Sequence, residues 1–177
     1  LYAAFSISTM VACVREGGQG GNIDVPMFAT TLAIAALQTS EYFGTGTNPV
    51  KLGSAHPRNA PYEAFHAQDG WFVLAAGNDK LWQSVCTVTQ TTELLKDPRF
   101  ETQQSRAANQ HALKELLQVC FAMQDVTHRL TELQAAGVPC APINPYADAL
   151  NAPQPNHVQL VRPTTLPRGP TTQTAPH

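Results

Sequence analysis

Cysteine, charge and long apolar runs are scarce in this chain, and each scarcity removes a class of function. The 177 residues hold four cysteines, Cys13, Cys86, Cys120 and Cys140, with no Cys-x-x-Cys pair and no histidine at ligand spacing beside any of them. Zinc clusters and redox dithiols need such spacing, so neither is indicated. Cys86 and Cys120 fall on the apolar faces of helical patterns and read as small buried hydrophobes. Charged residues make up only 14% of the chain, and the formal net charge is -2. That balance gives no electrostatic reason to expect DNA, RNA or an anionic membrane as partner, which leaves small molecules. Val25–Leu37 is apolar but interrupted by threonines and too short to cross a bilayer, and Leu1–Val14 lacks the basic start and cleavage pattern of a secretory signal. The expected setting is the cytoplasm or an organelle matrix.

What is present divides into two parts and a tail. Leu1–Arg15 reads as a helix apolar on most sides and so as buried; Gly17–Gly21 ends it, Asn22–Val25 make a short strand, and Pro26 opens a second helix reaching Tyr42. Gly44-Thr-Gly46 then starts a flexible crossing segment. In the second part Pro61–His66 alternates like a half-buried strand, Asp69-Gly70 supplies turn chemistry, and Trp71–Ala76 makes the returning strand. Asn78-Asp79 offers a cap for a helix with Leu81, Trp82 and Val85 on its apolar stripe, and a long helix is expected over Gln103–Phe121. Asp125 caps another helix, ended by Gly137, and Asn144-Pro145 starts a short one through Leu150. Ala152–His177, rich in proline and threonine, is expected to be extended or disordered.

Phosphate-loop readings of the glycines fail. In Gly17-Gly18-Gln19-Gly20-Gly21, Ile23 stands where the last glycine of a dinucleotide fingerprint belongs, and a helix precedes the run where a strand is required. No Gly-Lys-Ser or Gly-Lys-Thr follows Gly44-Thr-Gly46. His56, in a Gly-Ser-Ala-His-Pro loop, can position an acid group or a phosphate, although a lone loop histidine is more often only solvated or hydrogen-bonded.

One ordered series of motifs carries a resemblance. Gly20-Gly21-Asn22-Ile23-Asp24-Val25-Pro26-Met27, Gly53-Ser54-Ala55-His56, Ala60-Pro61-Tyr62, Asp69-Gly70, Gly77-Asn78-Asp79, Asp97-Pro98-Arg99-Phe100, Arg106 with Asn109, and Gly137-Val138-Pro139-Cys140 follow one another along the chain. Together they resemble the family III CoA-transferases, the group of formyl-CoA and carnitine CoA-transferases. The resemblance implies an α/β fold: an α–β–α piece of a Rossmann-like large domain over residues 1–44, a linker at 45–52, an α+β small domain of hairpin plus helices over 53–139, and a return linker with a truncated tail over 140–177. It also implies a fragment, inactive alone, that lacks most of the large domain and so exposes the apolar helices Leu1–Val14 and Met27–Leu37, and whose nucleophilic aspartate lies upstream of Leu1, so that no catalytic residue falls within the chain.

For the whole protein it implies CoA transfer from a short acyl-CoA to a carboxylic acid through an aspartyl-CoA thioester, with no metal or redox cofactor and with CoA as substrate, in an interlocked homodimer. Met27 matches the family's acyl-pocket methionine, and Gly53, Ser54, Ala55 and His56 match its glycine-rich closing loop, of which only Gly53 is still glycine. Pro26 and Ala29 depart from the family's commoner serine and aspartate. Two other readings stay open: part of an α-methylacyl-CoA racemase, which Gly77-Asn78-Asp79 resembles less than it does the transferases, or a non-catalytic remnant.

Overall fold

The computed structural model describes residues 1–165 and 171–174, in two compact units, Leu1–Lys51 and Leu52–His177. The fold is mixed α/β.

In the first unit α1 spans Tyr2–Arg15, yet none of its residues is buried, and Phe5 is 73% exposed. α1 is thus exposed, as expected of a piece without most of its large domain and not as its apolar pattern alone suggests, because α1 and the two short helices that follow do not enclose one another's apolar faces. Asn22–Val25, expected as a strand, runs as irregular chain. A strand is defined by its hydrogen-bonded neighbour, and the described residues of this unit contain no second strand. The single helix expected from Pro26 is two, α2 over Met27–Ile34 and α3 over Ala36–Thr45, with Pro26 as extended N-cap and a break at Ala35, φ -80° and ψ 29°. The Thr31 and Thr39 hydroxyls donate to the carbonyls of Met27 and Ala35 one turn back, at 2.8 and 3.1 Å, a pattern that bends helices.

The second unit holds the core. β1, Tyr62–His66, pairs antiparallel with β2, Trp71–Ala75, placing Phe65 opposite Phe72. Cys140–Pro142 adds β3 on the far side of β2, giving the order β1-β2-β3. This strand starts where the return linker was expected; three residues ending in proline carry no alternation to announce it. α4, Asp79–Val88, starts as expected, the Asn78 side chain accepting from the Leu81 N–H at 2.9 Å, and buries Trp82, Val85 and Cys86.

The helix expected over Gln103–Phe121 breaks into α5, Gln103–Ala108, and α6, Gln110–Phe121. At the break the Asn109 amide donates to the Ser105 carbonyl at 2.9 Å, competing with the helical backbone. α7, Val126–Ala135, is capped by Asp125, and Asp69 of the hairpin loop takes the Val126 N–H at 2.8 Å, so turn and helix start lock each other. Phe121 meets Phe65 and Phe72 edge-on at 5.0 and 5.2 Å, and Trp82, Phe100, Leu113, Leu117 and Leu133 complete the buried cluster.

The short helix expected through Leu150 is present, and the tail beyond it departs only in part from the extended or disordered chain expected. α8, Tyr146–Asn151, is followed by α9, Pro153–His157, whose proline sits in the first turn, where a missing N–H costs nothing. β4, Arg162–Thr165, then pairs antiparallel with β5, Thr171–Thr174. The rest of that expectation, residues 166–170 and 175–177, lies outside the described residues.

Candidate functional site

The loop Leu52–Asn59 enters β1 with its backbone tied down. Gly53 adopts φ +63°, and a Cβ built there meets nothing within 4 Å, so the demand for glycine is conformational and not steric. The Ala55 N–H closes a turn onto the Leu52 carbonyl at 3.1 Å, and Ser54 Oγ accepts from the Ala64 N–H at 3.1 Å. His56 donates its N–H to the Tyr62 carbonyl at 2.9 Å, and its own carbonyl accepts from Gln110 Nε2 at 2.8 Å. A cis peptide joins Ala60 to Pro61. Gly53, Ser54, Ala55 and His56 therefore stand together on one anchored turn of the second unit. Met27 belongs to the first unit, where it opens α2 and is 86% exposed.

Two motifs resolve into scaffold. Arg106 is fully buried; its guanidinium donates to the carbonyls of Ala60 at 3.0 Å and Phe100 at 3.1 Å and pairs with Asp79 at 2.7 Å. Asp79 thus ties the start of α4 to α5, while Asn78 does the capping. In Asp97-Pro98-Arg99-Phe100 the Arg99 backbone and guanidinium both donate to Asp97, which holds that carboxyl below the usual carboxylate range and raises Arg99. Phe100, beneath the Arg99 guanidinium at 4.8 Å, is buried.

Side chains that sequence reading passed over support the loop. Glu63, buried on β1, pairs with Lys114 of α6, and Asn59 accepts from Gln103. Gln110, Lys114 and Gln118 recur every fourth residue along α6 and all reach toward β1 or the loop before it; that spacing is the one signal that could have found them. Gly77 is required by packing, since a Cβ there would stand 2.7 Å from Asn59 Cβ. Burial pushes the Cys86 thiol up to about 12 and also raises Cys140. Among the described residues no cluster of three His, Cys, Asp or Glu side chains could hold a metal ion, and no helix is long and apolar enough to cross a membrane.

Comparison with known proteins gives this architecture its relatives. The chain is 41% identical over 148 residues to an acetyl-CoA:oxalate CoA-transferase of Acetobacter aceti, covering 84% of the chain and 38% of that protein. It is 28% identical over 161 residues to the human succinyl-CoA:glutarate CoA-transferase, covering 91% of the chain and 37% of the relative. The crystal structure of a CaiB/BaiF family protein from Brucella suis superposes with a TM-score of 0.75 at 30% identity, over 99% of the chain and 50% of that structure. The chain spans well under half the length of the curated relatives it matches, 38% in the first case. The model of CoA-transferase family III matches residues 1–176, and the chain belongs to that family.

Proposed function

We propose that this chain is part of a CoA-transferase that moves CoA from a short acyl-CoA to a small dicarboxylic acid through an aspartyl-CoA thioester. The observation that carries this reading is the 41% identity to an acetyl-CoA:oxalate CoA-transferase across 84% of the chain. The succinyl-CoA:glutarate relatives favour the same acceptor class.

In the proposed cycle an aspartate carboxylate attacks the thioester carbonyl of the donor, giving a mixed anhydride and CoA thiolate. The thiolate attacks the aspartyl carbonyl, which releases the donor acid and leaves the aspartyl-CoA thioester. The acceptor carboxylate then displaces CoA from that thioester, and the freed thiolate takes the acceptor's acyl group from the second anhydride, restoring the aspartate. Every step is an acyl transfer, so atoms and charge balance without a redox partner.

The nucleophile belongs, in this reading, to the segment of the whole protein before Leu1, and Leu1–His177 alone transfers no CoA. Met27 lines the acyl pocket, and the turn Gly53–His56 shields anhydride and thioester from water. The whole protein works as a homodimer. The test is to incubate the whole protein with acyl-CoA and map its peptides by mass. A CoA adduct on one aspartate, converted by hydroxylamine to the hydroxamate, is expected. CoA transfer without any such adduct contradicts the aspartyl route, and exchange of the acyl α-proton without CoA transfer marks a racemase instead.

A further inference from the structure

Every polar group of His56 but one is committed to the scaffold. Its backbone N–H and carbonyl are held by Tyr62 and Gln110, and its ring stacks on Tyr62 with centroids 5.1 Å apart and planes 17° from parallel. Nδ1 accepts the backbone N–H groups of both Arg58 and Asn59, each at 3.1 Å. Two donors aimed at one ring nitrogen require a lone pair there, so the proton of the neutral imidazole sits on Nε2. Nε2 makes no hydrogen bond among the described residues, and it is not among their buried unpartnered atoms, of which Trp82 Nε1 is the one found. A shallow groove lined by Pro57, Arg58, Gln103, Gln104 and Ala107 begins at the next residue. Arg58 forms no ion pair among the described residues and no carboxylate lines the groove, so the neighbourhood offers an N–H donor and a cation to an acid.

Building on the CoA-transferase reading above, we infer that His56 is a neutral hydrogen-bond donor, locked as the Nε2–H tautomer by the Arg58 and Asn59 amides, that binds a carboxylate oxygen of the acid substrate. The same geometry bars it from acting as a general base. A base needs its lone pair on the free nitrogen, and here the backbone holds that lone pair.

Two substitutions separate anchor from donor. In His56→Asn the side-chain oxygen can still accept the two N–H groups, but nothing replaces Nε2–H. In His56→Gln an N–H remains near the ε position while the δ acceptor is lost. In the whole protein His56→Asn, which loses the stacking on Tyr62 but keeps the δ acceptor, should melt only slightly earlier and should lose about 10- to 100-fold in kcat/KM for oxalate through the oxalate KM, with the KM for acyl-CoA unchanged. His56→Gln, which also loses the acceptor for the Arg58 and Asn59 N–H groups, should melt earlier than His56→Asn and retain more of its oxalate affinity. Nitrogen NMR of histidine-labelled whole protein should show Nδ1 unprotonated and Nε2 protonated, with the Nε2 resonance moving as oxalate is added.

A proton on Nδ1, or unchanged oxalate kinetics in folded His56→Asn, overturns the proposal. If the whole protein transfers no CoA, the functional reading falls and the titration decides alone. An Nε2 resonance that moves with oxalate or acetate sustains the donor role, and one that stays still under both ends it.

Discussion

At the residue scale the buried polar atoms set the costs. Trp82 is 2% exposed in the buried cluster, and its Nε1 is buried with no partner among the described residues. Trp82→Ala should therefore cost about 3–5 kcal/mol in denaturant unfolding. Trp82→Phe should cost below about 2 kcal/mol, because it removes the orphaned donor along with the second ring. Equal losses in the two variants would mean that the indole N–H is satisfied after all. Cys86 supplies a pH signature, because burial raises its thiol from 9.0 to about 12, opposed in part by contact with Thr91. Stability from this group is fully present below pH 9, and it is lost as pH rises toward 12, since only the unfolded chain ionises in that window. The fall should be about 1.4 kcal/mol per pH unit steeper in the native sequence than in Cys86→Ala. Identical slopes above pH 9 would place the thiol in contact with water.

Among elements, α6 does for β1 what a neighbouring strand would do. β1 is an edge strand, and Gln118 takes the His66 N–H at 3.0 Å and donates to the His66 carbonyl at 2.7 Å, while Gln110 and Lys114 hold the loop and Glu63. Gln118→Ala should cost about 1–2 kcal/mol and accelerate hydrogen exchange at the His66 amide while leaving the Phe65 core intact. Unchanged exchange at His66 would show that β1 needs no such cover.

The hairpin, the Asn78 and Asp125 caps and the left-handed Gly137 were legible in the sequence, because each rests on short-range chemistry that the residues carry themselves. The breaks at Ala35 and Asn109 were not, since a threonine or asparagine that bends a helix looks like any other polar residue until its hydroxyl or amide finds a carbonyl. β3 escaped for a different reason: Cys140–Pro142 is a strand only because β2 offers it an edge.

For the whole molecule the two units differ in where their apolar surface goes. Leu52–His177 encloses a core, whereas α1, α2 and α3 bury no residue and leave Phe5, Met27, Phe28 and Phe43 more than 70% exposed. The apolar pattern alone suggests burial, while the resemblance suggests exposure of these helices in a fragment; the second matches what is seen, because burial needs a partner surface as well as a hydrophobic one. The candidate site was legible in part, through the order of its motifs. The tether on His56 was not, because it depends on ring geometry that no spacing encodes.

The most direct measurement is CoA transfer by the whole protein, with acetyl-CoA or succinyl-CoA as donor and oxalate as acceptor. Formation of oxalyl-CoA with matching release of acetate or succinate is predicted. Donor left untouched, or hydrolysed with no CoA reaching oxalate or any other short dicarboxylate, would contradict it.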